Sequence, residues 1–167
     1  MNGGDGQPII KNEDWNFIEQ CMHKMVNSVE HRPEPINETE LRKLEGTIGG
    51  LRSQRPLLRI ACQHFFYEKC KLFIEQYITS EVLPSFRGKR DESLLGQFVD
   101  RWEKHNRIAK MLNDVFYRPI WGRSMPPLDE VGLTLFRDMF DDVYFFRMIS
   151  LDFMDDVFSY ITSYMQK

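Results

Sequence analysis

The sequence predicts an all-α protein, an antiparallel bundle of about five to six helices, and three observations carry that expectation. Apolar residues recur at three and four along most of the chain, the spacing of one helix face. The breaks between these runs hold proline, glycine or a capping side chain. No run alternates at period two between turn signals, as a half-buried strand would. At 167 residues there is room for one domain with a real core, and an aromatic content of 13% supplies bulk to fill it.

The glycine-rich start offers few side chains whose burial offsets the entropy of ordering, so residues 1–11 are expected to be disordered and 12–167 to form the domain. Trp15, Ile18, Met22, Met25, Val26 and Val29 form the inner face of a first helix, stopped by His31-Arg32-Pro33-Glu34-Pro35. Asn37 and Glu40 make a capping box for a second helix. Its glycines, Gly46, Gly49 and Gly50, each cost about 1 kcal/mol relative to alanine, which predicts a short, frayed or kinked helix before Pro56. The third segment, 57–80, carries Ile60, Phe65, Phe66, Leu72, Phe73, Tyr77 and Ile78 in a wide apolar band, with no breaker before Pro84.

A fourth helix opens at Asp91 or Ser93 and turns Leu94, Leu95, Phe98, Val99 and Trp102 inward. The polar run Lys104-His105-Asn106 is expected to bend it; Ile108, Met111, Leu112, Val115 and Phe116 restart an apolar face, and Pro119 ends it. After Pro126-Pro127, Leu128 is the staple and Asp129 the N-cap of a helix running through Leu133, Phe136 and Phe140. The tail holds an echo, residues 138–143 and 152–157, which reads as a solvated acidic face over a Phe/Met stripe.

Composition removes several function classes. A net charge of -3 and a pI near 5.8 give no concentrated basic face for nucleic acid. The first residues lack the pattern of a secretory signal, and no apolar run is long enough for a bilayer, so an intracellular protein, cytoplasmic and/or nuclear, is expected, with no membrane partner. Cys21, Cys62 and Cys70 suit free thiols acting as small hydrophobes. Cys62, His64 and Cys70 are the one close group of soft metal ligands, but a single helix cannot turn all three toward one ion. His64 and Glu68 suit a surface pair, and the second histidine of a metalloprotease helix is missing. Gly46-Thr47-Ile48-Gly49-Gly50 lacks the Lys-Ser/Thr ending of a phosphate loop, and no serine or cysteine has an identifiable base. No cofactor, metal or catalytic residue is expected, and the chain does not read as an enzyme.

Four runs resemble a known family: Phe73-Ile74-Glu75-Gln76-Tyr77-Ile78-Thr79-Ser80, Val82-Leu83-Pro84-Ser85-Phe86-Arg87, Arg101-Trp102, and Pro126-Pro127-Leu128-Asp129-Glu130-Val131-Gly132-Leu133-Thr134. Together they resemble the N-terminal repeat of a plant-type cullin, the scaffold of modular ubiquitin ligases, from Trp15 to about Phe140. The resemblance implies a truncated cullin repeat whose second and fifth helices dock a Skp-type adaptor. That adaptor in turn holds an F-box protein, as in SCF-type degradation. In the family a distant C-terminal domain recruits a RING-box protein, so no RING-box binding is expected of these residues.

Two departures bear on the adaptor site. The family's second helix has a Leu-Tyr-x-x-Ile-Tyr-like pattern, matched here by Leu44, Glu45, Thr47, Ile48 and Gly49, so both tyrosines are gone. Two lost tyrosine anchors weaken an interface by on the order of a thousandfold. The family's fifth helix continues beyond Phe116-Tyr117 with a Tyr-Leu-Asp-Arg-Tyr-like run, replaced here by Arg118-Pro119-Ile120-Trp121-Gly122-Arg123, about a turn shorter. What remains as adaptor-binding candidates is Leu44, Ile48, Leu51, Met111, Asn113, Phe116 and Tyr117, of which the apolar ones equally suit a core. The alternatives are a degenerate cullin copy with no retained partner, or a small helical ligand-binding bundle or enzyme. The last requires a concave apolar pocket with convergent polar groups.

Overall fold

The computed structural model describes residues 10–52, 56–89, 91–116 and 125–141, with positions 159, 162, 163 and 166. The first apolar stripe becomes helix α1, Asn12–Val29, which buries Ile18, Cys21, Met22, Met25, Val26 and Val29. Glu13 and Asp14 in its first turn complement the positive end of the helix dipole. Ile10, within the stretch expected to be disordered, packs into the core; residues 1–9 lie outside the described residues.

The chain reverses through His31 and Glu34, both in the left-handed region at φ 54° and 60°. Ser28 steadies the reversal, donating to the Lys24 carbonyl at 3.0 Å and accepting from the Ile36 amide at 3.2 Å. Helix α2, Glu38–Arg52, then opens on the capping box: the Glu40 amide donates to Asn37 Oδ1 at 2.8 Å, and the Asn37 amide to Glu40 Oε2 at 3.2 Å. Its glycines neither shorten nor break it. Leu44, Ile48 and Leu51 are buried as one stripe. At roughly 1.5–3 kcal/mol per buried aliphatic side chain, that stripe outweighs about 1 kcal/mol per glycine. The Lys24–Glu40 ion pair and Lys43 over the Phe17 ring set α2 antiparallel to α1.

Helix α3, Pro56–Tyr77, runs on through a π-turn, Ile78–Val82, and a last turn, Leu83–Ser85. Trp15 meets Phe65 and Phe66, His23 meets Phe73, and Glu30 meets Tyr77, so α3 lies parallel to α1. Pro84 does not end this segment. The π-turn has already moved the Leu83 amide onto the Ile78 carbonyl, and Pro84 starts a new turn where an amide is dispensable. The apolar band is narrower than its sequence suggests: Phe66, Cys70, Ile74 and Ile78 are buried, but Ile60 and Leu72 stand 51% and 46% exposed.

Helix α4, Asp91–Leu112, is continuous across Lys104-His105-Asn106 and passes into a π-type turn at 113–116. The expected bend is absent because His105 points inward, 2% exposed, and its Nε2 donates to the Gly132 carbonyl at 2.8 Å. Helix α5, Leu128–Asp141, packs antiparallel on α4 with Phe136 against Phe98 and Trp102. Its cap comes from another helix: Asn113 Oδ1 accepts from the Leu128 amide at 3.0 Å. Asp129, expected as the N-cap, sits one residue inside and binds the Glu130 amide. Gly132 marks the closest approach, since a Cβ there would lie 3.0 Å from Ala109 Cβ and 3.3 Å from His105 Nε2. Helices α1, α3 and α5 thus run one way and α2 and α4 the other, with no strand among the described residues. The expected stop at Pro119 and the 152–157 half of the acidic echo lie outside the described residues.

Candidate functional site

Two places in this bundle hold more than apolar packing. At one end, Glu30 closes α1 with its side chain only 5% exposed. It accepts from the Tyr77 hydroxyl at 2.7 Å and from Arg101 Nη1 at 2.7 Å, while Lys104 Nζ lies 3.7 Å from its second oxygen. Lys104 is shared with Asp100 at 2.9 Å. Burial first, and the bond to Glu30 second, push the Tyr77 hydroxyl well above its usual range, so it stays a donor. The cluster fixes how α1, α3 and α4 meet, and it accounts for the Arg101-Trp102 motif: Arg101 joins the charges, and Trp102 joins the α4–α5 core.

The second concerns the stretches where the sequence puts its adaptor-binding candidates, α2 and the residues around the end of α4. Leu44, Ile48, Leu51 and Phe116 are core residues, 0%, 1%, 7% and 0% exposed, and Phe116 stacks on Phe66. Met111 is half-buried against the same core, and Asn113 is engaged in capping α5. Tyr117 lies outside the described residues. These side chains hold the two helices from beneath. The exposed surface is formed on α2 by Arg42, Lys43, Glu45, Gly46, Gly49 and Gly50, and near the end of α4 by Arg107, Lys110 and Asp114. A Cβ added at Gly46, Gly49 or Gly50 would meet nothing within 4 Å. The spacing of Leu44, Ile48 and Leu51, four then three, is itself the signal of a core stripe, and from it the outward positions between them follow.

The remaining sequence candidates do not converge. Cys62 and Cys70 are buried, with burial pushing both thiols up, while His64 faces out. Cys21 is likewise a buried hydrophobe. No group of three metal-ligating side chains occurs among the described residues. His64 and Glu68 share the outer face of α3. No described helix is long and apolar enough to cross a membrane.

Comparison with known proteins decides the lineage of this bundle: residues 16–166 match the cullin alpha solenoid domain. The chain belongs to the cullin family. It is 37% identical over 132 residues to Cullin-1 of Oryza sativa subsp. japonica, covering 76% of this chain and 18% of that protein. Against two proteins of Arabidopsis thaliana it is 37% identical to cullin-like protein 2 over 134 residues and 29% identical to Cullin-like protein 3 over 136 residues. Those matches cover 76% and 75% of this chain, and 35% and 49% of the relatives. This cullin chain therefore spans between about a fifth and a half of the curated relatives it matches. No solved structure matches it at a significant level.

Proposed function

We propose that this chain is a non-catalytic cullin scaffold segment, acting in the cytoplasm or nucleus in a ubiquitin ligase assembly, with residues 12–167 forming one N-terminal cullin repeat. Its task is to dock a Skp-type adaptor, and through it an F-box protein, by packing helix on helix. No contact with a RING-box protein is assigned to these residues.

The observation that carries the reading is the pairing of a locked inner face with an open outer face on α2. Leu44, Ile48 and Leu51 fix the rotation of the helix, and Glu45, Gly46, Gly49 and Gly50 leave its outer side accessible to a partner helix. Glu45 and Gly49 stand where the family resemblance places tyrosines, so the dock is a weak one. A pull-down against a Skp-type adaptor with an F-box partner tests this, using the chain and its Glu45→Tyr/Gly49→Tyr variant. Both substituted positions face solvent, so the variant keeps the fold. Capture strengthened at least tenfold by the double substitution supports the reading. If neither protein binds at tens of micromolar, the chain keeps the cullin fold without this partner.

A further inference from the structure

The outer face of α3 lies apart from the adaptor face and carries the two large apolar side chains left exposed among the described residues, Ile60 and Leu72. Between and beyond them stand His64, Glu68, Lys71 and Glu75, spaced four, three and four, which brings all four onto one stripe of the helix. None of the four makes an ion pair among the described residues, whereas Lys24, Arg32, Arg42, Arg101 and Lys104 all do.

Two hollows open along the same face. One of about 580 Å³ lies between α1 and α3, against Val26, Phe73, Gln76 and Thr79. The other, about 680 Å³, follows α3 past Ala61, His64, Phe65 and Glu68. Leu72 and Glu75 border both, so the two are continuous.

Knobs, hollows and charges on this face complement one another when it meets its own copy. We propose that α3 is the self-complementary interface of a homodimer, with a second copy of this chain docked antiparallel about a two-fold axis beside Lys69 and Cys70. Positions equally distant from that axis then face each other. Glu68 meets Lys71 of the second copy and His64 meets its Glu75, and each pair forms twice. Ile60 falls opposite the second copy's Thr79, at the hollow between α1 and α3, and Leu72 falls between its His64 and Glu68, at the other hollow. A parallel arrangement would set Glu68 on Glu68 and Lys71 on Lys71, so charge selects the antiparallel one. The charge pattern is matched within this surface itself, which singles out a second copy over an unrelated partner. Solvated ion pairs contribute little to affinity and much to orientation, and the two apolar anchors per copy supply the attraction.

Such an interface predicts a reversible dimer with a Kd on the order of tens of micromolar. Sedimentation velocity of the full chain from about 5 to 500 μM reads it directly. Leu72→Glu and Glu68→Lys, both at exposed positions, should each weaken association at least tenfold with helix content unchanged. The exchange Glu68→Lys/Lys71→Glu recreates both ion pairs with reversed sign and should recover the dimer, which a foreign partner or non-specific aggregation would not reproduce. A chain that stays monomeric throughout, a dimer indifferent to Leu72→Glu, or a double variant no better than Glu68→Lys alone overturns the proposal.

Discussion

Acidification is expected to weaken this fold through one side chain. His105 is 2% exposed, its Nε2 donates to the Gly132 carbonyl at 2.8 Å, and its ring lies among Tyr77, Trp102 and Phe136. Burial lowers its pKa from 6.5 to about 4, and the bond to Gly132 offsets only part of that. The unfolded chain takes up the proton near pH 6.5, whereas the folded protein refuses it until about pH 4. Stability is therefore whole above pH 6.5, falls as pH drops through the window, and levels off below about 4. At roughly 1.4 kcal/mol per pH unit, the loss is about 3 kcal/mol, a large part of the 5–15 kcal/mol typical of a domain. Urea unfolding of the wild type and His105→Gln across pH 7 to 4 measures it, since a glutamine amide can still donate to Gly132 but does not titrate. Glu40 and Glu81, held below the usual carboxylate range by bonds from Lys24 and Arg32, also lose stabilisation in acid, but equally in both proteins. A difference between the two proteins that stays constant within about 0.5 kcal/mol from pH 6.5 to 4.5 would refute the reasoning.

Four further outcomes are expected. Gly132→Ala should destabilise by about 1–3 kcal/mol in chemical denaturation, because its Cβ would press on Ala109 and His105. Gly49→Ala, with open space around it in an exposed helix interior, should instead stabilise by about 0.5–1 kcal/mol. Glu30→Gln leaves the largely buried cation of Arg101 without its counter-charge, while Lys104 keeps Asp100, and should cost about 3 kcal/mol in thermal unfolding. Glu34→Gly relieves a left-handed residue at an exposed turn and should raise stability by about 1 kcal/mol; a fall would mean that the turn is held by more than backbone preference.

The sequence announces local features well and long-range ones poorly. The Asn37/Glu40 capping box and the inward stripe of α1 follow from neighbours a turn apart, and both are present as read. The continuity of α2 depends on what Leu44, Ile48 and Leu51 pack against, which glycine propensities do not contain. His105 looks like part of a polar bend in the sequence because its partner, the Gly132 carbonyl, lies in another helix. Asn113 is the same case, a polar residue near a helix end whose acceptor serves an amide across the bundle. The adaptor-site candidates follow from the family resemblance, and Leu44, Ile48, Leu51 and Phe116 among them are core residues, because apolar type at helical spacing identifies the core before it identifies a contact surface.

The π-turn at Ile78–Val82 gives this helix an uneven tolerance to insertion and deletion. A turn closed by i→i+5 bonds holds one residue more than a regular α-helical turn, and the buried residues Ile74 before it, Ile78 and Val82 at its two ends, and Phe86 after it all face the core. Losing one residue there reverts the turn to ordinary helix and leaves both flanks facing the core. The same deletion in the middle of α3 would rotate everything beyond it by about 100° and turn Tyr77 away from Glu30. Over evolutionary time, changes of length in this helix should therefore collect within 78–82.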